Sequence, residues 1–338
     1  MSTLATILIP SFNHGSIIKY PLLSILSQTV QDFEIFVVGD GVPINIKEQV
    51  RKICKIDQRI SFFDFPKDQR RGEVYRHQVL SKRAKGKYIF YLSDDDLWFP
   101  NHLETLIEAF QKFNFVHSLH VNIFPVDTIN IQPTDLALPE HRQWIIEKPA
   151  FGFDLSFGAH TRKLYQQLSY GWRTTPPDVN TDVYMWRQFL INKKCKPLSI
   201  QKPTGLHFAD PPRKIWSTLQ RNKELARWYK DISNDKIRSR LVEKINEIAI
   251  KTLIKDGINH LNQIDFQNNH ILNKDTYIKK CEQALVDQTQ QLQLVNIELE
   301  KMTNSLTWQI RERNLKLLNR FPNALLTMKK VLRALIKK

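Results

Sequence analysis

Tyr88-Ile-Phe-Tyr-Leu92 runs directly into Ser93-Asp94-Asp95-Asp96-Leu97-Trp98. An apolar run with no polar alternation is the pattern of a strand covered on both faces. Three carboxylates at its end repel one another unless a cation or hydrogen-bond donors lie among them. A divalent metal shared with the phosphates of a ligand answers that need. The alternative is a helix N-terminus, with one of the acids capping the helix expected after Pro100. A cap uses one acid, however, and three are present.

The flanking segments place this strand in a sheet. Leu4-Ala-Thr-Ile-Leu-Ile-Pro10 is a short apolar run ended by proline. Phe33-Glu-Ile-Phe-Val-Val38 is stopped by Gly39-Asp40-Gly41, and Ile60-Ser-Phe-Phe-Asp-Phe65 is a third strand. Between them, residues 20–28, 46–56 and 73–84 carry apolar residues at helical spacing. Strand–helix alternation of this kind predicts an α/β fold, a Rossmann-like, mostly parallel sheet flanked by helices. In such sheets ligands sit beyond the carboxyl ends of the strands. The loops at Pro10-Ser-Phe-Asn13, Gly39-Asp40-Gly41 and Ser93-Asp-Asp-Asp96 all fall there, so three separate loops converge on one edge.

Residues 115–210 are rich in proline and are expected as strands and long loops, with one helix over 182–191. Residues 215–258 are helical and basic, and the Asn/Gln-rich stretch 259–273 is expected as a linker. Ile278, Cys281, Leu285, Gln288, Leu292, Val295, Leu299, Met302 and Leu306 alternate spacings of three and four, the a/d pattern of a coiled coil. Residues 307–338 interleave Lys and Arg with Leu, Trp and Phe, a composition suited to an anionic membrane surface or a partner helix.

The chain has 338 residues, 42% hydrophobic and 25% charged, which is ordinary globular composition. Its net charge of +16 points to an anionic partner. Three widely spaced cysteines form no metal or disulfide pattern. The opening Met1-Ser-Thr-Leu-Ala-Thr6 lacks a basic n-region, and no apolar run approaches the ~20 residues of a membrane span. A cytoplasmic protein, either soluble or peripheral at the inner face of the plasma membrane, is therefore expected. Nucleic-acid binding is not, because the positive charge is not organised with stacking aromatics.

Ile7-Leu-Ile-Pro-Ser-Phe-Asn13, Leu26-Ser-Gln-Thr-Val-Gln-Asp-Phe-Glu-Ile-Phe-Val-Val-Gly-Asp-Gly41, Arg76-His77 and Ala84-Lys-Gly-Lys-Tyr-Ile-Phe-Tyr-Leu-Ser-Asp-Asp-Asp-Leu-Trp98 resemble, in order and spacing, the family 2 glycosyltransferases of the GT-A fold. The match is similar in detail to the spore-coat polysaccharide members of that family. It covers residues 4 to about 110, and more loosely to about 210. It implies a GT-A domain over residues 1–212, with 1–110 binding a nucleotide sugar and 111–212 the acceptor. A basic helical region (213–258), a linker (259–274), a coiled coil (275–306) and a basic tail (307–338) lie beyond it as a C-terminal helical extension.

The resemblance also implies roles. Pro10, Ser11, Phe12 and Asn13 would pack on the nucleotide, with Asn13 alternatively capping the next helix. Asp40 would accept from a uracil N–H; Gly39 stands where the family carries a further Asp. Arg76 would reach the donor, although His77 replaces an Asn frequent in the family. Asp94 would hold the ribose and Asp95 the metal (Mg²⁺ or Mn²⁺). Asp96 would be a second ligand or the cap of the next helix. Asp182 would be the base that deprotonates the acceptor hydroxyl in an inverting transfer, or else a helix cap; Asp178 is the fallback. His207 lies where some GT-A enzymes add a metal ligand. His160 with Arg162, and Trp172 with Arg173, would line the acceptor site or fill the core. The partners implied are a nucleotide-sugar donor, a glycan or lipid-linked glycan acceptor, an anionic membrane surface, and a second copy through the coiled coil. The competing reading is an inert GT-A-like scaffold acting through its coiled coil and basic tail.

Overall fold

The computed structural model describes residues 3–208, 211–267 and 274–303. The chain divides into two compact units, Met1–Asp256 and Gly257–Lys338. The first begins with β1 (Ala5–Ser11), α1 (Lys19–Leu26), β2 (Phe33–Asp40), α2 (Ile44–Cys54), β3 (Ile60–Phe65), α3 (Glu73–Arg83) and β4 (Tyr88–Tyr91). These strands pair in parallel in the order β3-β2-β1-β4. The alternation read from the sequence is thus present, element by element.

Both faces of this half-sheet are covered, which explains its unbroken apolar runs. Alternate residues belong to different cores. Ile7, Ile9, Ile35, Val37 and Phe90 pack with α1 and α2 residues and with Leu103 and Leu106 on one side. Leu8, Phe36, Val38, Ile89 and Tyr91 pack with Trp172, Trp186 and Phe189 on the other. The approach to β4 is tight. A Cβ built on Gly86 would lie 2.2 Å from the Thr6 backbone nitrogen. Gly86→Ala should therefore cost about 2 kcal/mol or more through forced displacement of β1, read as a fall in the urea midpoint.

The chain continues through β5 (Leu97–Trp98), α4 (His102–Ala109), β6 (Phe115–Phe124), β7 (Thr128–Gln132), α5 (Pro139–Glu147), β8 (Gly158–Thr161), α6 (Arg162–Tyr165), α7 (Thr181–Leu190), β9 (Pro197–Pro203) and β10 (Gly205–Phe208). β8 lies antiparallel between β4 and β6, and β10 joins β6 to β5, completing a ten-stranded mixed sheet. Helix α5 departs from the strands and loops expected there. Its Pro139 reads as a breaker but sits at the first turn, where a missing N–H costs nothing.

Helix α8 (Thr218–Ser233) opens with a reciprocal capping box between Ser217 and Gln220. It buries Arg221, Leu225, Trp228 and Ile232, one stripe at 4-3-4 spacing. The apolar three join Val121, Ile123, Leu206 and Phe208 in a third core. An arginine in a buried stripe needs partners, and they lie in the site below.

Helix α9 spans Asp235–Gln267 and α10 spans Lys274–Thr303. The stretch expected as a linker is therefore helical as far as Gln267, since nothing between Ile258 and Gln267 is Pro or Gly. The remainder of it, 268–273, lies outside the described residues, as do residues 304–306 of the heptad stretch and the basic tail. No helix among the described residues is long and apolar enough to cross a membrane.

Candidate active site

The β1–β2 register pairs Ser11 with Gly39, and Leu92 continues from β4 to bond Leu8. The three loops predicted to converge therefore do so at the carboxyl edge of the half-sheet. Asp94, Asp95 and Asp96 are 7%, 6% and 0% exposed, so their mutual repulsion is not relieved by water. Each is matched instead by a cation of the protein. His14 Nδ1 lies 2.7 Å from Asp94 Oδ1, Arg221 Nη2 pairs with Asp95 Oδ2, and His207 Nδ1 lies 3.0 Å from Asp96 Oδ1. Asp94's charge pushes His14 up to about 9. Burial opposes ionisation of Asp94, but His14 outweighs it and holds the carboxyl below its usual range. Burial, then the charge of Asp96, pushes Asp95 up to about 6.

Asp96 faces away from the other two. It accepts from Ser156 Oγ and from the Phe208 amide at 3.0 Å, and caps no helix; the N-cap of α4 is Asn101. His207 links it onward, with Nε2 3.1 Å from Asp154 Oδ2, and His120 Nε2 lies 2.9 Å from the same oxygen. Burial opposes a charge on His207, yet Asp96 and Asp154 push it up to about 10. Burial opposes ionisation of Asp154 too, and His207 and His120 hold it well below the usual range.

Asp154 opens into a cavity of about 460 Å³ lined by Arg70, Arg71, His120, Asn122, Asp178 and Asp182 among others. Asp182 is two residues past the N-cap Asn180 of α7, and its Oδ2 accepts from the Leu155 amide at 3.0 Å rather than from its own helix. Its carboxyl is pushed up to about 6, by burial first and by the charge of Asp154 second, against the pull of Arg76. Asp178 is exposed on the same wall.

On the β2 side, Asp40 is held by Lys67 Nζ and the Asp68 amide, each at 2.6 Å. Gly72 passes so close that a Cβ there would lie 2.7 Å from Asp40 Cβ, and its φ of +70° favours glycine as well. Lys67 also lies 5.4 Å from the Phe12 ring, which is 42% exposed. Ser11 ends β1, buried beside Asp94, Pro10 precedes it within the strand, and Asn13 is exposed and caps nothing. Arg76 is buried 4.9 Å from the Trp172 ring and donates to the Arg71 carbonyl. Its Nε and Nη1 have no hydrogen-bond partner, and an anion would satisfy them. His77 turns to Tyr165 Oη at 2.8 Å. His160 and Trp172 both contact Tyr91 Oη inside the core, so neither lines a cleft.

Residues 6–170 match the family model described as Glycosyl transferase family 2. The chain carries a family 2 glycosyltransferase domain. Over 113 residues it is 34% identical to an uncharacterized glycosyltransferase of Rickettsia bellii, a match covering 33% of this chain and 16% of that protein. Over 111 residues it is 30% identical to the UDP-Glc:alpha-D-GlcNAc-diphosphoundecaprenol beta-1,3-glucosyltransferase WfgD of Escherichia coli, covering 33% and 42%. The chain thus spans less than half the length of either relative. Among solved structures it is similar to a mannosyltransferase of Pyrobaculum calidifontis in complex with GDP-Man and Mn²⁺, at 15% identity and TM-score 0.44, covering 60% of this chain and 56% of that one.

For a glycosyltransferase domain the acid cluster raises the question of a metal. His14, Asp94 and Asp95 each offer one ligand atom, all within 4.8 Å of one another. Asp94 Oδ2 is buried without a hydrogen-bond partner. Hard carboxylates plus an imidazole suit Mg²⁺ or Mn²⁺, although His14 would have to shed its proton to serve. The residues present therefore fit a divalent cation, grouped as His14, Asp94 and Asp95. Asp96 and His207, both read from the sequence as candidate ligands, face each other instead. Sequence reading stopped one residue short of His14. It had no signal for Arg221, which lies outside the matched segment and comes from a helix more than a hundred residues downstream.

Proposed function

We propose that this protein is an inverting glycosyltransferase that moves a sugar from a nucleotide-diphospho-sugar, UDP-linked, to a hydroxyl acceptor in polysaccharide or glycoconjugate synthesis. One observation carries the reading. The acid cluster at the end of β4 is joined through His207 and Asp154 to a cavity holding Asp182, a carboxyl moved to about 6, where it can take a proton near neutral pH.

The geometry supports the following division of labour. Phe12 offers an exposed ring face to the nucleobase. Asp40 has one bond on each oxygen, which leaves lone pairs for a ring N–H. Arg76 carries buried N–H groups for the diphosphate. His14, Asp94 and Asp95 would hold the divalent cation, which when bound supplies positive charge to the leaving diphosphate. The Leu155 amide fixes the Asp182 carboxylate, and its other oxygen takes the acceptor's proton as that hydroxyl attacks the anomeric carbon from the side opposite the diphosphate. The heptads over 278–306 and the basic stretch 307–338 enter this proposal as a self-association contact and an anionic-surface contact.

A screen of UDP-, GDP- and TDP-sugars with MnCl₂, read by release of free nucleotide diphosphate, tests the proposal. UDP-sugars should turn over, and Asp95→Ala should abolish the release while the circular dichroism spectrum persists. Unchanged turnover in that variant would sink it.

A further inference from the structure

We propose that Arg221 is an exchangeable counter-ion of the metal site: it holds Asp95 while the cleft lacks a donor, and passes to the donor's diphosphate when a divalent cation takes Asp95. The inference rests on the proposed glycosyltransferase reading.

Its basis is competition for the same residues. Arg221 Nη2 binds Asp95 Oδ2, and Nη1 lies 3.3 Å from His14 Nε2. Asp95 and His14 are two of the three residues whose ligand atoms cluster within 4.8 Å. A guanidinium seated there and a divalent cation repel each other at close range in a buried site. They also compete for one carboxylate. The guanidinium must therefore turn aside for the cation to be held.

The helix itself need not move. Its N-terminus is closed by the Ser217–Gln220 capping box, Asn222 bonds Ser16 Oγ at 2.8 Å, and Leu225, Trp228 and Ile232 lie in the core. Arg221 is thus a long side chain on a fixed base, and a change of rotamer suffices. Its destination is set by chemistry. A guanidinium released beside a metal-bound diphosphate meets the anion its planar fork fits best. The exchange makes cation and nucleotide binding cooperative: the cation alone must evict Arg221, whereas with a diphosphate present the guanidinium gains a new partner.

The test compares unmodified protein with Arg221→Gln and Arg221→Lys. Mn²⁺ binding is followed by electron paramagnetic resonance, without and with UDP, and UDP binding by calorimetry in MnCl₂. Without nucleotide, Arg221→Gln should bind Mn²⁺ about tenfold or more tightly than unmodified protein, and with MnCl₂ it should bind UDP about tenfold or more weakly. UDP should tighten Mn²⁺ binding in unmodified protein and lose most of that effect in Arg221→Gln. Arg221→Lys, which keeps the charge, should fall between the two, and thermal melts confirm that the variants are folded. Equal or weaker Mn²⁺ binding by folded Arg221→Gln overturns the exchange and leaves the transferase reading intact. Failure of the unmodified protein to bind UDP with MnCl₂ overturns both.

Discussion

Asp182→Asn should lower turnover by about 10²–10⁴-fold, the contribution of one positioned base, while leaving UDP affinity within about twofold. The asparagine keeps the size of the side chain and can still accept from the Leu155 amide, which Asp182 does through Oδ2 at 3.0 Å. What it loses is the capacity to take a proton. The pH profile separates this loss from misfolding. Burial, then the charge of Asp154, moves the Asp182 carboxyl up to about 6, so the ionised base accumulates as pH rises through that value. Turnover of the unmodified protein should therefore climb about tenfold per pH unit below 6 and level above it. The residual activity of Asp182→Asn should lack that limb. Asp178, exposed on the same cavity wall, is the control, because Asp178→Asn should keep both the rate and the profile. Full activity in Asp182→Asn would remove it as the base.

The parallel half-sheet was legible because its residues obey two periods at once. Alternate positions of β1, β2 and β4 feed different cores, and helical spacing fills the gaps between them. The acids of the site were legible for the same reason, since they follow an apolar run directly. Their partners were not. Asp96 meets His207 across 111 residues and Asp95 meets Arg221 across 126, and no local pattern marks either pairing. Repulsion among three carboxylates demands cations but does not name them. Sequence reasoning supplied a metal, and the fold supplies His14, Arg221 and His207 beside the same oxygens. Helix α5 was missed because Pro139 marks a break when read alone, and only the fold shows that it opens a helix. Trp172 and His160 carry the residue types of a sugar-stacking surface, yet their polar atoms are consumed by Tyr91 in the core.

That core makes the protein acid-labile well above the usual carboxylate range. His102, His117 and His160 are at most 1% exposed, and burial lowers each to about 3. Each has a neutral-state partner: Thr204 Oγ1, Ser199 Oγ and Tyr91 Oη respectively, all at 2.7 Å. All three are also stacked, His102 on Trp98 at 4.0 Å, His117 on Phe153 at 3.9 Å and His160 on Tyr165 at 5.3 Å. Unfolding frees these imidazoles to take protons below pH ~6.5, whereas the folded protein excludes them. Their stabilisation is therefore complete above that pH and is lost as pH falls toward 3. At pH 5.5 the three together should have lost about 4 kcal/mol. Asp95 and Asp182, with carboxyls raised to about 6, act in the opposite direction and return roughly 1.5 kcal/mol over the same interval. His14 and His207 act in that same direction: raised to about 9 and 10, they stay protonated in the folded protein while the unfolded imidazoles gain protons only as pH falls through ~6.5, and together they return roughly 1.5 kcal/mol more. The net loss of about 1 kcal/mol should lower the melting temperature by roughly 2–4 °C between pH 7 and 5.5 in metal-free buffer. Replacing His117 by Gln lowers stability at neutral pH but removes one titrating group, about 1.3 kcal/mol of the gross loss, so the fall in melting temperature between pH 7 and 5.5 should vanish in that variant. A melting temperature that stays flat across that interval would mean that these imidazoles are charged, or reached by water, in the folded protein.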